Sequence, residues 1–138
     1  MTGYGKRVLI VEPDESERNV LGLMLENEGY HVQIVSDEGL ALEELKRRRF
    51  DVVVSAHHMP QINGFRLILM GRLVWPDTPM IVLLGNDTSL SETVEQTRAY
   101  GYLRKPYNFG ELLDLIENAI KLNRKHRLQT SKSVLLSS

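Results

Sequence analysis

The sequence predicts an α/β domain built on a doubly wound, five-stranded parallel sheet in the order 2-1-3-4-5. Five short apolar segments, rich in β-branched residues, alternate with segments of helical periodicity. Several of the apolar segments are continuous runs, which is typical of strands covered on both faces, as in parallel sheets. Each connection is long enough for a crossover helix, and such crossovers are right-handed. For five strands, 2-1-3-4-5 is the common doubly wound order.

The predicted strands are residues 8–11, 31–35, 51–55, 80–84 and 100–103. In the predicted order, ligands bind where the strand order reverses, at the carboxyl ends of the first and third strands. We therefore expect the chemistry of the chain at residues 12–14 and 55–58. Residues 84–86 and Lys105, which follow the fourth and fifth strands, should complete this edge of the sheet.

Five helices are predicted from their start and stop signals. Asp14 and Glu17 form a possible capping box for the first helix, and Gly29 ends it. Ser36 can cap the second helix, which ends in the basic residues 46–49. The third helix runs from about Asn63 to Val74, the pair Ser89 and Glu92 opens the fourth, and the pair Asn108 and Glu111 opens the fifth.

The fifth predicted helix has two apolar stripes. Its core stripe consists of Phe109, Leu113, Ile116 and Ile120, and a second stripe consists of Leu115, Ala119 and Leu122. Because one stripe is enough to dock a helix on a sheet, the second stripe is a possible partner interface. The alternative is that Leu115 and Leu122 pack under the fourth helix or the tail.

Composition sets further limits. The 138 residues suit one domain, which we place at residues 6–121, followed by a basic and then Ser-rich tail or linker at 122–138. The net charge of −1 gives no overall attraction to nucleic acid or to a membrane surface, and without cysteine there are no disulfides. The longest apolar run, residues 80–84, is too short to span a bilayer. We expect a soluble, cytoplasmic protein.

Three segments resemble the response-regulator receiver family of two-component and phosphorelay signalling. They are VLIVEPD at residues 8–14, MPQING at 59–64 and YLRKPY at 102–107. Each follows a predicted strand at the interval typical of that family, and the resemblance covers about residues 6–121. It implies a flavodoxin-like receiver fold and a role in signal transduction.

The resemblance also implies a defined chemistry. In receivers, two acidic residues after the first strand and an aspartate ending the third hold Mg²⁺ through oxygen ligands. That aspartate attacks a phosphoryl group, while the metal and a lysine neutralise the phosphoryl oxygens. A hydroxyl after the fourth strand binds the phosphoryl group, and an aromatic residue on the fifth strand moves in response.

This chain departs from that pattern at three positions. The phosphorylated aspartate aligns with Ala56, the acidic pair with Glu12 and Pro13, and the hydroxyl with Leu84. Lys105 and the aromatic residue, Tyr102, remain. We therefore expect an atypical receiver that is not an enzyme, has no catalytic residues or cofactor, and binds Mg²⁺ at Glu12 weakly or not at all. Lys105 should instead pair with Glu12, and Tyr102 should point outward in one rotamer.

Partners follow from the same resemblance. We expect a protein partner, either a histidine kinase or a downstream signalling protein, and no partner in nucleic acid or membranes. A homodimer is possible through the face that the fourth helix, fifth strand and fifth helix form in receivers. The basic stretch from Lys121 to Arg127 is interpreted as a solvated helix end, since no aromatic residues interleave it.

Three other interpretations of the sequence are open. An ordinary receiver with an engineered Asp-to-Ala change at position 56 would have the same sequence. A zinc site at His57 and His58 is disfavoured because only Glu12 is expected nearby as a third ligand. A metal- or nucleotide-binding enzyme on a flavodoxin-like fold lacks support, since no Gly-rich or Ser/Thr-rich loop follows the first strand.

Overall fold

A computed structural model describes residues 3–57, 64–85 and 99–137 of the chain. For residues 64–66 and 124–137 it describes the backbone alone. In chain order its elements are β1 (Arg7–Val11), α1 (Glu15–Asn27), β2 (His31–Val35), α2 (Glu38–Arg47), β3 (Val52–Ala56), α3 (Gly64–Val74), β4 (Met80–Leu84), β5 (Gly101–Arg104) and α4 (Phe109–Ser137). The helix predicted to open at Ser89 lies outside the described residues.

The five strands form one parallel sheet in the order β2-β1-β3-β4-β5, which confirms the predicted order. Every predicted strand is present, and its bounds agree with the prediction to within one residue. The register pairs Val11 with Ser55 and Ala56 with Leu83. The ends of β1, β3 and β4 therefore lie side by side at one edge of the sheet, where the chemistry was predicted.

A hydrophobic cluster covers each face of the sheet. Because side chains alternate between the faces of a strand, Leu9 and Val11 of β1 face one cluster while Val8 and Ile10 face the other. The first cluster contains residues of α2 and α3, and the second contains residues of α1 and α4. All residues of β3 and β4 are buried, as expected for central strands of a doubly covered sheet.

The helix starts agree with the predicted caps at two of three places. The Asp14 carboxylate accepts a hydrogen bond from the Glu17 backbone N–H at 2.9 Å, and the Asn108 amide oxygen accepts one from Glu111 N–H at 2.8 Å. The predicted cap of α2 is wrong by one residue. Asp37, not Ser36, accepts from the Leu40 N–H at 2.9 Å. Both side chains can cap a helix, and the carboxylate adds a favourable charge at the positive end of the helix dipole.

The predicted faces of the last helix require correction. Over the part of the helix with described side chains, residues 109–123, the fully buried residues are Leu112, Ile116 and Ala119, whereas Phe109, Leu113 and Ile120 are only partly buried. Ala119 therefore belongs to the core, and the predicted exposed stripe of Leu115, Ala119 and Leu122 does not exist as a surface. Leu122 alone of these three is exposed.

Leu115, on the predicted second stripe of this helix, is partly buried because it packs beside β5. Gly101 has no side chain, and Leu115 occupies the space beside it, with Leu115 Cδ1 only 3.0 Å from where a β-carbon on residue 101 would lie. The helix also continues to Ser137, past the point near Lys121 where a tail was predicted. No proline or glycine interrupts residues 121–137, so nothing in the local sequence forces the helix to end.

Candidate functional site

The carboxyl edge of the sheet collects most of the residues that sequence analysis singled out. Glu12 directly follows β1, Ala56 ends β3, Leu84 ends β4 and Lys105 directly follows β5. The side chains of Glu12 and Lys105 meet there, with Lys105 Nζ 3.5 Å from Glu12 Oε1. The predicted pair of Lys105 and Glu12 is therefore confirmed, at a distance that is long for a direct hydrogen bond.

Lys105 makes a shorter contact with a third residue, Glu17, which sequence analysis did not assign to the site. Lys105 Nζ lies 2.6 Å from Oε2 of Glu17. Glu17 was interpreted only as half of a capping box, and its backbone N–H does take part in the cap. Its carboxylate, however, extends from the first turn of α1 to Lys105. The short spacing between Glu12, the helix start at Glu15 and Glu17 was the available signal that Glu17 lies over the same edge.

Burial and hydrogen bonding give the two glutamates opposite protonation behaviour. Burial of the Glu12 carboxyl and its hydrogen bond with Glu17 raise the pKa of Glu12 to about 8, although Lys105 opposes this shift. Hydrogen bonds from Glu12 and Lys105 lower the pKa of Glu17. Burial opposes the charged form of Lys105, but the two glutamates together still raise the pKa of its ammonium group. The surroundings thus favour the neutral form of Glu12 and the charged forms of Glu17 and Lys105.

Leu84 is part of the hydrophobic core. Its side chain is fully buried and belongs to the same cluster as Leu9, Val11 and Val82. The edge of the sheet therefore has an apolar, fully covered side chain at the position where the resemblance expects a hydroxyl group.

Tyr102, in β5, is 42% exposed. This exposure agrees with the predicted outward orientation of its ring. Whether the ring keeps to one rotamer stays a prediction.

The donor atoms at this edge fit Mg²⁺ poorly. Neither Ala56 nor Pro13 has a side-chain oxygen, and Glu12 is engaged by Lys105 and Glu17. The backbone oxygens of Glu12 and Pro13 both accept hydrogen bonds from Arg18 Nη1, at 3.3 and 2.9 Å. Mg²⁺ requires near-octahedral oxygen coordination, usually with carboxylates.

Of the two adjacent histidines that were considered as zinc ligands, the structure describes His57. His57 follows β3 and is half-buried, while His58 lies outside the described residues. Among the residues with described positions, no group of three or more histidine, aspartate or glutamate side chains could hold a metal ion.

An apolar groove of about 540 Å³ runs beside the cluster, between α1 and the segment that follows β5. Its walls include Val20, Leu21 and Met24 of α1 and Tyr107 and Phe109 on the opposite side. Val20 is 55% exposed, so the groove opens to solvent. The ion pair between Glu17 and Lys105 forms part of its lining.

Comparison with known proteins agrees with this geometry. The family profile of the response regulator receiver domain matches residues 8–117. A DNA-binding transcriptional regulator, NtrC of Rhizobium meliloti, is 30% identical over 117 residues, which are 84% of this chain and 24% of that protein. The response regulator MprA of Mycobacterium leprae is 34% identical over 117 residues, covering 83% of this chain and 51% of that protein.

Solved structures show the same fold. A CheY-like receiver domain protein from Methanospirillum hungatei has a TM-score of 0.83 at 27% identity, with 88% of this chain and 98% of that chain covered. The chemotaxis response regulator CheY4 of Vibrio cholerae has a TM-score of 0.76 at 29% identity, with 83% and 98% covered.

The chain belongs to the response-regulator receiver family of two-component signalling. It spans between about a quarter and a half of the length of the curated relatives described above. In the described parts of the chain, no helix is both long and apolar enough to cross a membrane.

Proposed function

We propose that this chain is an atypical receiver domain that signals through protein contacts without aspartyl phosphorylation. The observation that carries the proposal is Ala56 at the end of β3, where the family resemblance expects the phosphorylated aspartate. A methyl group has no lone pair with which to attack phosphorus, so no acyl phosphate can form at this position.

The neighbouring residues support the same conclusion. Phosphoryl transfer depends on positive charge that neutralises the phosphoryl oxygens as they develop charge. Here the ammonium group of Lys105 is already paired with Glu17, and Pro13 replaces a metal-binding carboxylate of the family pattern. We therefore propose that Mg²⁺ binding at Glu12 is weak or absent, and that the domain is a binding module rather than an enzyme.

The partner in this proposal is another protein, either a histidine kinase or a downstream signalling protein. The apolar groove beside α1 supports such a partner, because it exposes Val20 next to the ion pair of Glu17 and Lys105. The proposed location is the cytoplasm, which is where two-component receivers meet their kinases.

Treatment with acetyl phosphate and Mg²⁺ tests the proposal. The wild-type chain should show no gain of a phosphoryl group by intact-mass spectrometry, because Ala56 offers no nucleophile. A second receiver that carries the aspartate, treated in parallel, serves as the positive control. An acyl phosphate on any aspartate of the wild-type chain would contradict the proposal, and peptide mapping of a phosphorylated product would identify the residue that carries the group.

Variants of the same chain make the test more specific. Ala56→Asp alone should restore at most slow phosphorylation, because the second acidic residue and the hydroxyl are still missing. The triple variant Pro13→Asp, Ala56→Asp, Leu84→Thr should gain a phosphoryl group faster than the single variant. Equal rates would show that residues 13 and 84 do not limit the chemistry.

A further inference from the structure

Glu17 links two segments that are distant in the sequence. It lies on α1, and its carboxylate contacts Lys105, which follows β5, across a separation of 88 positions. The contact is 2.6 Å long, whereas Lys105 Nζ is 3.5 Å from Glu12. Of the two described carboxylates that contact the Lys105 ammonium, that of Glu17 is therefore the nearer.

Burial also distinguishes the two glutamates that contact Lys105. The side chain of Glu12 is only 6% exposed, and its buried carboxyl favours the neutral form. Glu17, which is half exposed and hydrogen-bonded by both neighbours, keeps its negative charge. Glu17 is thus both the nearer and the more accessible of the two carboxylates that contact Lys105.

We propose that Glu17 is a built-in anion that occupies Lys105 and keeps external oxyanions away from the carboxyl edge of the sheet. This inference rests on the proposed function, because it explains what Lys105 binds when no phosphoryl group is formed. The excluded ligands are small tetrahedral oxyanions such as inorganic phosphate.

Competition, rather than the strength of the ion pair, is what gives Glu17 this role. Both side chains are partly exposed, at 34% for Lys105 and 48% for Glu17, and such pairs are individually weak. A tethered group, however, competes at an effective concentration of roughly millimolar or more. A dissolved anion with a similar intrinsic affinity for Lys105 must therefore exceed this concentration to displace the Glu17 carboxylate.

The chain offers a matched control for this inference. Glu15 also lies in the first turn of α1 and has the same side chain, but it is exposed and forms no ion pair with Lys105. Neutralising Glu15 changes the net charge of the protein, and of this turn, by the same amount as neutralising Glu17. A difference between the two variants therefore reports the contact and not the general charge.

The experiment titrates inorganic phosphate at constant ionic strength into the wild type, Glu17→Gln and Glu15→Gln, and follows the backbone amide signals of residues 104–107 by NMR. Constant ionic strength removes the screening change that phosphate itself would cause. Half-saturation should occur at a phosphate concentration lower by about tenfold or more in Glu17→Gln, because the tethered competitor is gone. Glu15→Gln should match the wild type.

Two results would overturn the inference. One is equal phosphate binding by wild type and Glu17→Gln, whether both bind or neither does. The other is a gain in binding by Glu12→Gln that Glu17→Gln does not show, which would make Glu12 the counter-ion. The acetyl phosphate treatment described above is the separate test of the proposed function. Because inorganic phosphate does not donate a phosphoryl group, the titration measures only reversible binding, and its failure would leave the result of the acetyl phosphate treatment unchanged.

Discussion

Replacing Leu84 by threonine or by valine tests whether the edge of the sheet has become part of the core at this position. Leu84 is fully buried among apolar side chains, although it stands where the resemblance expects a hydroxyl group. Threonine and valine have nearly the same shape and differ by one hydroxyl in place of one methyl group. Comparing Leu84→Thr with Leu84→Val therefore isolates the cost of placing a hydroxyl there.

The magnitude follows from the burial of Leu84. Leu84→Val removes one methylene from a site with no solvent exposure, which should destabilise the fold by about 1 kcal/mol. Leu84→Thr removes the same methylene and also buries a hydroxyl among apolar neighbours. An unsatisfied buried hydroxyl costs roughly 1–3 kcal/mol more, so Leu84→Thr should be destabilised by about 2–4 kcal/mol in total.

Urea unfolding followed by circular dichroism measures both values. The three proteins should unfold with similar m values, so that the shift in midpoint reports stability. If Leu84→Thr is as stable as Leu84→Val to within about 0.5 kcal/mol, the hydroxyl has found water or a hydrogen-bond partner. The site would then still be polar, and our description of Leu84 as a core residue would be wrong.

Two further predictions concern the cluster and the groove. Stability should fall as the pH rises from about 5 to 8, because the raised pKa of Glu12 lets the folded chain hold a proton that the unfolded chain releases. The slope of stability against pH should not exceed about 1.4 kcal/mol per pH unit, and stability should level off above about pH 8. This pH dependence should be lost in Glu12→Gln. An unchanged slope in that variant would contradict the raised pKa of Glu12. In the groove, Val20→Asp should reduce capture of the partner from native lysate, whereas Leu23→Asp, equally exposed on α1 but outside the groove, should not. Equal losses would remove the groove from the proposed interface.

Local sequence patterns were sufficient to predict the strands, their order and most helix starts. A β-branched run such as residues 8–11 defines a buried strand through its own composition, and Asp14 caps α1 through a contact three residues away. The cap of α2 was missed by one residue because Ser36 and Asp37 are adjacent and both can accept the same hydrogen bond.

The errors in the site and in the last helix share one physical origin. The contact of Lys105 with Glu17 joins residues that are 88 positions apart, and Leu115 packs beside Gly101 on another element. The position of Leu115 beside Gly101 has no signature in local periodicity, and the spacing of Glu12 and Glu17 places Glu17 over the edge of the sheet without identifying Lys105 as its partner. The family motif did identify Lys105 and led to the predicted contact with Glu12, but it gave no indication of the shorter contact with Glu17.

The uninterrupted α4 gives the domain a lever arm. Among the residues of α4 whose side chains are described, which end at Asn123, Ala119 is the last fully buried one, and the helix continues to Ser137. At 1.5 Å per residue, the part beyond Ala119 is about 27 Å long. A tilt of a few degrees where α4 lies on the sheet would therefore displace its far end by roughly 2 Å, on the scale of the helix shifts that accompany switching in other proteins. A small displacement of the segment between β5 and α4, which contains Lys105, would therefore produce a larger displacement at the far end of α4.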